Sequence, residues 1–577
     1  MKIFNNNITQ YNIGDTQGTL YNTFNCDLTY NKGKMSIASR TIFTPTALTP
    51  LDGTPVGFKY FDNKWFTIAG TKVYKNSGSP VANFVEETTG TPPTNCSSDY
   101  SDLEVFSASA GDVLLVSSVD ALYSRSTDAV GTGFTLRRTF SGGSGQNHPI
   151  CVYNNRAYWL DIDSKIYSTD NTFTNATSGT YTMSLPNEYK VLWMRAFSNG
   201  IHIGTIHRYG GDGLVFEWDG VTVNKWNRAY KVFAQGALAG FVSQDIPYVV
   251  NSNAELLQFT GSGFKVIARL PTRRNKLFKA NEISTNTRFI HPNGLCEIDG
   301  YMSMLINNQD NNTTTVEYQD NIHSGIWEYD DVSLYHKHSL SYRTRPDSGG
   351  SITDYGQISI ARAGGLAETP DLYGTSEVLK GNFLAGAEYY TDATTTAHGI
   401  WTDSFYDEVE KCGFFVTSQI RASNIEEMFN YITTLFVPTQ GFNFVVKYRT
   451  ERAEHVDFTI TWTSTDTFTT TQTGLAKGNE VTITRGKGSG RIAHISAISE
   501  NAGTYTVTLD EQITGVSGTA KARKENWIKV NSINTVTNKF QKDAVNQPDT
   551  LIEIKVAMLG TGDTTVDEII LDNVKNQ

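Results

Sequence analysis

The stretch RGKGSGR at 485–491 is the most direct candidate for chemistry, because three glycines alternate there with Arg485, Lys487 and Arg491. Backbone amides of a glycine-rich loop beside basic side chains can bind phosphate. A P-loop, however, needs Lys followed by Ser or Thr after a GxxxxG spacing, with a helix behind it, whereas the strand-like run IAHISAI follows here. The pattern therefore favours a tight β-turn whose basic tip could contact an acidic partner.

Two histidines and two aspartates have spacings that could supply metal ligands. His336 and His338 lie on one face of a predicted strand, and Asp161 and Asp163 form a DxD pair. A zinc site needs further ligands, and a calcium loop needs more oxygen ligands and a glycine, none of which the sequence places. We expect an exposed or hydrogen-bonded histidine pair, a turn at the aspartates, and no metal or cofactor.

No residue pattern in the chain assigns a catalytic role. Asp128 and Asp170 each follow a Ser-Thr pair and resemble the Asp-boxes of sialidases and other propellers, in which the aspartate supports a turn. Arginines such as Arg195 and Arg208 are not spaced so as to define a sialidase-like site, and no GxSxG is present. The sequence predicts a protein that is not an enzyme, with no catalytic residues. A glycosidase built from two carboxylates that meet only in space stays open.

Composition narrows the class of protein further. The 577 residues carry 48 Lys and Arg against 59 Asp and Glu, a net charge of −11, which argues against a protein whose main task is to bind nucleic acid. With 39% hydrophobic residues the chain can build packed cores. A polar N-terminus and the lack of a long apolar run predict neither a signal peptide nor a membrane span. Five scattered cysteines fit a protein made in the cytoplasm.

A repeated pattern organises the first two thirds of the chain. An apolar strand, a polar turn and a second strand with an aromatic residue recur at steps of 44 to 55 residues, with one step of 81, starting at Trp65, Val113, Ala157, Ile201, Pro247, Met302 and Phe383. Strand repeats of roughly 40 to 50 residues are typical of β-propeller blades. We predict a β-propeller of about seven blades over 45–410, with six blades plus an irregular segment as the alternative.

The tryptophans of these repeats are predicted to be core residues rather than sugar-stacking platforms, because propeller cores are rich in aromatic side chains. They are Trp65, Trp159, Trp218, Trp327 and Trp401.

Longer alternating strands follow and predict an antiparallel β-sandwich over 411–470 and 527–577. Residues 471–526, rich in Gly and Thr, predict a small β-barrel inserted into it. Ser423 and Glu426 have the spacing of a helix capping box, but the residues after them also alternate as in a strand, so helix and strand both stay open at that point. The overall fold class is all-β.

The N-terminal region has a polar, Asn-rich arm over 1–44, with Asn25, Gly33 and Arg40 at characteristic places, and a first blade that ends VYK. In these features it resembles the opening of tail hub and nozzle proteins of short-tailed bacteriophages. Thr41 and Ile42 stand where those proteins commonly have Pro-Gly. The closing segment IEIKVAMLGTGDTTVDEIILDNV also resembles the last strands of tail sandwich domains.

The resemblance implies a virion tail protein, made in the host cytoplasm, that forms a ring with copies of itself. Its partners would be portal, adaptor and tail fibre proteins, with DNA only as passing cargo. We expect partner contacts from the arm and the basic turn, at Asn5, Tyr11, Tyr21, Asn25, Arg485, Lys487 and Arg491. The alternative is a module that recognises host surface glycan; a less favoured one is a propeller enzyme that cleaves glycan.

Overall fold

The computed structural model describes just over two thirds of the chain. The described residues are 2–4, 20–24, 26–27, 35–37, 41–43, 51–76, 84–88, 91–129, 132–140, 145–161, 165–170, 181–270, 289–307, 324–331, 333–340, 358–369, 383–403, 412–417, 420–421, 427–437, 442–450, 457–513, 515–533, 540–547, 551–560 and 565–575. Every regular element in these ranges is a β-strand, and neighbouring strands pair antiparallel. The predicted all-β fold class is confirmed.

Seven sheets of four strands follow one another in the described part of the first 403 residues. The first three consist of β6 Pro55–Phe61, β7 Lys64–Ala69, β8 Lys72–Lys75 and β9 Val85–Glu86; β10 Asp102–Ala108, β11 Gly111–Ser117, β12 Ala121–Arg125 and β13 Thr135–Thr139; and β14 Ile150–Tyr153, β15 Arg156–Leu160, β16 Lys165–Thr169 and β17 Tyr181–Ser184.

The next three sheets are also built from consecutive strands. They consist of β18 Tyr189–Phe197, β19 Gly200–His207, β20 Leu214–Trp218 and β21 Arg228–Lys231; β22 Ala237–Ser243, β23 Ile246–Asn251, β24 Glu255–Phe259 and β25 Phe264–Arg269; and β26 Leu295–Ile298, β27 Tyr301–Ile306, β28 Gly325–Tyr329 and β29 Leu334–His338.

The seventh sheet takes its outer strand from the beginning of the chain. It contains β30 Ile360–Glu368, β31 Phe383–Tyr390 and β32 Thr396–Asp403, and β32 pairs with β5 Thr41–Phe43. The first strand of each sheet contacts the first strand of the next, and β30 of the last sheet contacts β6 of the first. The arrangement is therefore propeller-like, with the first strands innermost.

The hydrophobic cores of this region lie between consecutive sheets, because one small sheet cannot bury both of its faces alone. Val56 and Phe66 of the first sheet pack with Leu103 of the second, and Trp65 packs with Leu384 of the seventh. The five tryptophans predicted to be core residues are all buried, which confirms that prediction.

Two six-stranded sheets make up the C-terminal unit, an arrangement compatible with a sandwich. Their C-terminal strands are β33 Cys412–Thr417, β34 Ile420–Arg421, β35 Glu427–Val437, β36 Phe442–Arg449, β43 Ile528–Ile533, β44 Phe540–Gln547, β45 Leu551–Gly560 and β46 Thr565–Lys575. The first sheet centres on β46, β35 and β44 and the second on β33, β45, β36 and β43, with β34 beside β45. The stretch after Glu426 is strand β35, held between β44 and β46, so the strand alternative is correct there.

Four strands from the start of the chain complete these two sheets. β1 Lys2–Phe4 and β4 Met35–Ile37 pair with β46, β3 Cys26–Asp27 pairs with β4, and β2 Leu20–Phe24 pairs with β33. The described parts of the segment predicted as an extended arm over 1–44 therefore pair within their own chain, where their backbone groups find hydrogen-bond partners. β2 and β3 also contact β29 of the sixth sheet.

A closed six-stranded barrel is inserted between β36 and β43. It contains β37 Asp457–Trp462, β38 Thr467–Thr470, β39 Glu480–Arg485, β40 Ile492–Asn501, β41 Thr504–Leu509 and β42 Thr519–Glu525. The barrel begins at Asp457 rather than at the predicted 471, because β37 pairs with β42 and β38 with β41, and the ring of strands cannot close without them. The 471–526 boundary is corrected accordingly.

Candidate partner-binding site and the joints around it

The basic turn of the barrel joins β39 to β40. Its three glycines have positive φ angles of 83°, 87° and 79°, which explains why glycine alternates through Gly486, Gly488 and Gly490. The backbone N–H groups of Ser489, Gly490 and Arg491 donate to carbonyls of Gly486, Ile483 and Gly488. These three amides are used within the turn and do not point at a ligand, which agrees with a β-turn and not with a phosphate cradle.

The three basic side chains of this turn have different surroundings. The Arg485 guanidinium carbon lies 4.8 Å from the centre of the Tyr390 ring, which belongs to the seventh propeller-like sheet and is buried. Lys487 donates to the hydroxyl of Ser517 at 3.2 Å. Arg485 thus joins the barrel to the seventh propeller-like sheet of the same chain. Lys487 and Arg491 lie half-exposed at the turn.

Of the arm residues expected to bind partners, only Tyr21 falls in the described part of the chain. It lies in β2, where the pairing with β33 shifts register between Leu20 and Asn22. Asn5, Tyr11 and Asn25 lie outside the described residues.

Sequence reasoning missed an ionic cluster where the barrel meets the C-terminal sheets. The buried Glu480 carboxylate accepts hydrogen bonds from Lys447 of β36 and, at 3.1 Å, from Lys555 of β45. Burial alone would raise the pKa of Glu480, but the two ammonium groups and their hydrogen bonds lower it to about 2. The signal was a lysine inside each apolar strand, FVVKYR and IEIKVAM.

A second buried pair extends the cluster. Arg449 Nε donates to Glu553 Oε2 at 2.6 Å, and the Arg449 guanidinium carbon lies 4.2 Å from the centre of the Trp527 ring. Lys555 Nζ lies 5.5 Å from the same ring. Glu480 thus links the barrel to strands β36 and β45 of the neighbouring C-terminal sheet. The Trp527 ring covers Arg449 and Lys555 on one side.

The middle of the ring of sheets holds another polar network. Asn293, just before β26, donates to Asp102 Oδ1 at 2.9 Å and accepts from Arg195 at 2.6 Å. Burial raises the pKa of Asp102, and the Arg195 charge opposes that shift. Because these residues come from the second, fourth and sixth sheets, the network spans the ring and fixes sheets that are not neighbours.

The other candidate sites have structural surroundings. His336 is buried and hydrogen-bonds through Nε2 to the Ser324 carbonyl at 3.0 Å, and Asp161 accepts from Arg138 Nε at 2.8 Å. Asp163 lies outside the described residues. Among the residues that the structure describes, no group of three or more His, Cys, Asp or Glu is placed to hold a metal ion.

Asp128, compared above with an Asp-box residue, connects two sheets. It pairs with Lys64 and with Lys75, at 2.7 Å, of the first sheet, and with Arg125, at 2.8 Å, of the second. Glu87 accepts from Arg125 and Lys75 in turn, at 2.6 Å each. This ionic cluster therefore links the first sheet to the second.

The described residues form no helix that is long and apolar enough to cross a membrane. Comparison with protein-family models and with curated proteins gives no match. Among solved structures the chain is similar to the computationally designed Ika8 protein, with 9% identity and a TM-score of 0.34, over 63% of this chain and 99% of that one. Similarity at this level assigns no function.

Two further structures give comparable values. A chain of the mitotic checkpoint complex matches with 10% identity and a TM-score of 0.35, over 63% of this chain and 95% of that one. A catalytically inactive virginiamycin B lyase from Staphylococcus aureus with quinupristin matches with 11% identity and a TM-score of 0.35, over 63% of this chain and 98% of that one.

Proposed function

We propose that this chain is a non-catalytic structural protein of a short-tailed bacteriophage tail, of the hub or nozzle kind. Copies assemble as a ring around the genome channel and dock portal, adaptor and fibre proteins. The observation that carries the proposal is that the propeller-like sheets, the C-terminal sheets and the barrel are joined, in the described part of the chain, by strand pairing, by buried ion pairs and by the packing of Arg485 on Tyr390. Such joints hold units in fixed positions, which an assembly component requires.

The N-terminal segment provides the first kind of joint. Within its described residues, β1 to β4 complete the C-terminal sheets and β5 completes the seventh propeller-like sheet. A single stretch of about forty residues therefore belongs to both units. Because only three residues separate β4 from β5, the two units cannot move far apart without breaking backbone hydrogen bonds in one of the sheets.

We further propose that the seven sheets form a closed seven-bladed β-propeller. The cycle of contacts between inner strands, the Trp65–Leu384 packing across the closure and the central Asp102–Asn293–Arg195 network support this blade count. β5 supports it too, because the start of the chain then locks the last blade next to the first.

The acidic balance supports the assignment of DNA as passing cargo. A net charge of −11 repels phosphate, so walls formed by such subunits limit sticking of DNA that moves past them. The half-exposed Lys487 and Arg491 are local exceptions, and they suit contact with an acidic neighbour.

The test is co-assembly of purified protein with portal-containing particles, followed by imaging of the particle. We expect the wild type to join the particle as a ring, and a Lys487→Glu, Arg491→Glu double variant to join it less. Lys477→Glu, an exposed charge reversal elsewhere on the barrel, is the matched control and should join normally. A wild-type chain that stays monomeric and never joins the particle would contradict the proposal.

A further inference from the structure

Two exposed aromatic side chains lie in loops at one end of the fourth sheet, where its strands turn. Tyr209, in the loop between β19 and β20, is 81% exposed, and Phe233, in the link from β21 to β22, is 61% exposed. Because neighbouring strands run antiparallel, β19 and β21 run in the same direction and their C-terminal ends lie at the same end of the sheet. Large apolar groups exposed in one region of a surface often mark a binding site.

The loop that carries Tyr209 is fixed around an imidazole. The backbone N–H groups of Tyr209 and Gly211 both donate to Nδ1 of His207, at 3.2 and 3.0 Å. The His207 and Tyr209 ring centres lie 6.1 Å apart, edge to face. The Tyr209 ring is therefore held in place while most of its surface stays in contact with water.

Phe233 is held outward by a strained backbone. It is the one aromatic residue among those described that has a positive φ, 54°, a region that bulky side chains rarely occupy. Two amide side chains impose this conformation, since Asn251 donates to the Val232 carbonyl at 2.9 Å and Asn253 to the Phe233 carbonyl at 3.1 Å. Strain that exposes a phenyl ring brings no packing in return, which points to a role in binding.

The two loops form one rigid unit. Gly213 N–H donates to the Ala234 carbonyl at 2.7 Å, and His207 N–H donates to the Gln235 carbonyl at 2.9 Å. An exposed ion pair lies in the same unit, with Lys231 Nζ 2.8 Å from Asp212 Oδ2. Aromatic faces, an ion pair and a half-exposed amide, Gln235, therefore occur together in a preorganised surface.

We propose that this surface, Tyr209, Phe233, Asp212, Lys231 and Gln235, binds a pyranose of an oligosaccharide. A pyranose ring has one face of C–H groups that packs on the electron-rich face of an aromatic ring. Its hydroxyl groups both donate and accept, which suits a carboxylate, an ammonium group and an amide at the rim. Because hydrogen bonds already fix the backbone of both loops, binding orders little further structure.

A protein partner fits this surface less well. A stable protein interface buries about 800 Å² on each side around an apolar centre. Here the ion pair Asp212–Lys231 lies with the two rings, and a broad dry contact would remove its charges from water. A sugar leaves such groups partly hydrated.

The test is a printed array of bacterial cell-surface oligosaccharides, followed by titration with the best-bound oligosaccharide. We expect Tyr209→Ala and Phe233→Gly each to weaken binding about tenfold, which corresponds to the loss of one stacking contact. Glycine accepts a positive φ without strain, so Phe233→Gly should leave the melting temperature nearly unchanged. A purely structural Phe233 would instead lower the melting temperature.

Val221→Ala with Val223→Ala is the matched control. These two residues are also exposed and apolar, but they lie in the β20–β21 loop at the opposite end of the sheet. The double variant should therefore bind the oligosaccharide as the wild type does. The proposal would be overturned if the wild type bound no arrayed oligosaccharide. It would also be overturned if Tyr209→Ala and Phe233→Gly each bound as tightly as the wild type. A change of oligomeric state in these variants without sugar binding would assign the surface to a protein contact instead. The array needs no other tail component, so its outcome is independent of the proposed assembly role.

Discussion

Lys447 and Glu480 belong to different β-units and form an ion pair in which both side chains are at most 3% exposed. Lys555 shares the same carboxylate, so one acid from the barrel holds two lysines of the sheet that carries it. Removing one member of a buried pair is costly because it leaves the other charge in a poorly solvated place. Glu480 therefore contributes directly to the attachment of the barrel.

Glu480→Gln should loosen the barrel from the C-terminal sheets. The change leaves two buried ammonium groups without their shared anion, and we expect a loss of about 3 kcal/mol in unfolding free energy. Urea unfolding followed by tryptophan fluorescence measures the loss. Lys231→Ala, which breaks an exposed pair, is the control and should change the unfolding free energy far less. Equal losses in the two variants would contradict this account of the joint.

Asp128→Ala should weaken the tie between the first two sheets. Three cations lose a shared and nearly inaccessible carboxylate, so the melting temperature should fall by several degrees, as for other broken buried ion clusters. Lys72→Ala removes a more exposed pair with Glu86 in the same first sheet and should change the melting temperature little. Scanning calorimetry distinguishes the two outcomes.

Acid should destabilise the protein partly through His202. Burial lowers the pKa of this imidazole from 6.5 to about 4, and neither ring nitrogen has a hydrogen-bond partner among the described residues. Between those two values the unfolded chain binds the proton more readily, so stability falls as the pH drops from about 6.5 to about 4. This contribution is on the order of 3 kcal/mol.

The check is denaturant unfolding at a series of pH values for the wild type and for His202→Leu. The variant should lose stability less steeply between pH 6.5 and 4. Part of the remaining slope should come from His336, whose burial lowers its pKa to about 4, and part from His148 and His398, whose pKa values burial also lowers. Parallel pH profiles for the two proteins would show that His202 does not titrate in this way.

Gly204→Ala should be poorly tolerated. A Cβ at this position would lie 2.0 Å from the Trp193 ring, which packs on both Gly204 and Gly240 between the fourth and fifth sheets. Overpacking of this kind costs roughly 1–3 kcal/mol or more. Gly263→Ala is the control, since its Cβ meets nothing within 4 Å. Thermal unfolding that is the same for both variants would contradict close packing at Trp193.

Local patterns were enough to predict the strands, the repeats and the buried tryptophans, because alternation and turn residues act over a few positions. They were not enough for the partners of β1 to β4, since Lys2 pairs with Ile570 and Phe24 with Phe414, far along the chain. The barrel boundary was misplaced for a similar reason, because Asp457 pairs with Arg523. The Glu480 cluster and the Tyr209–Phe233 surface likewise depend on contacts that no local spacing specifies.

The pairing of β5 with β32 also has a consequence for synthesis on the ribosome. Thr41 to Phe43 are translated some 360 residues before their partners at 401–403. The nascent chain must therefore keep its first strands available, without a permanent partner, until translation has passed the seventh sheet. Chaperone demand should be highest in that interval, and it should end only when β45 and β46 emerge.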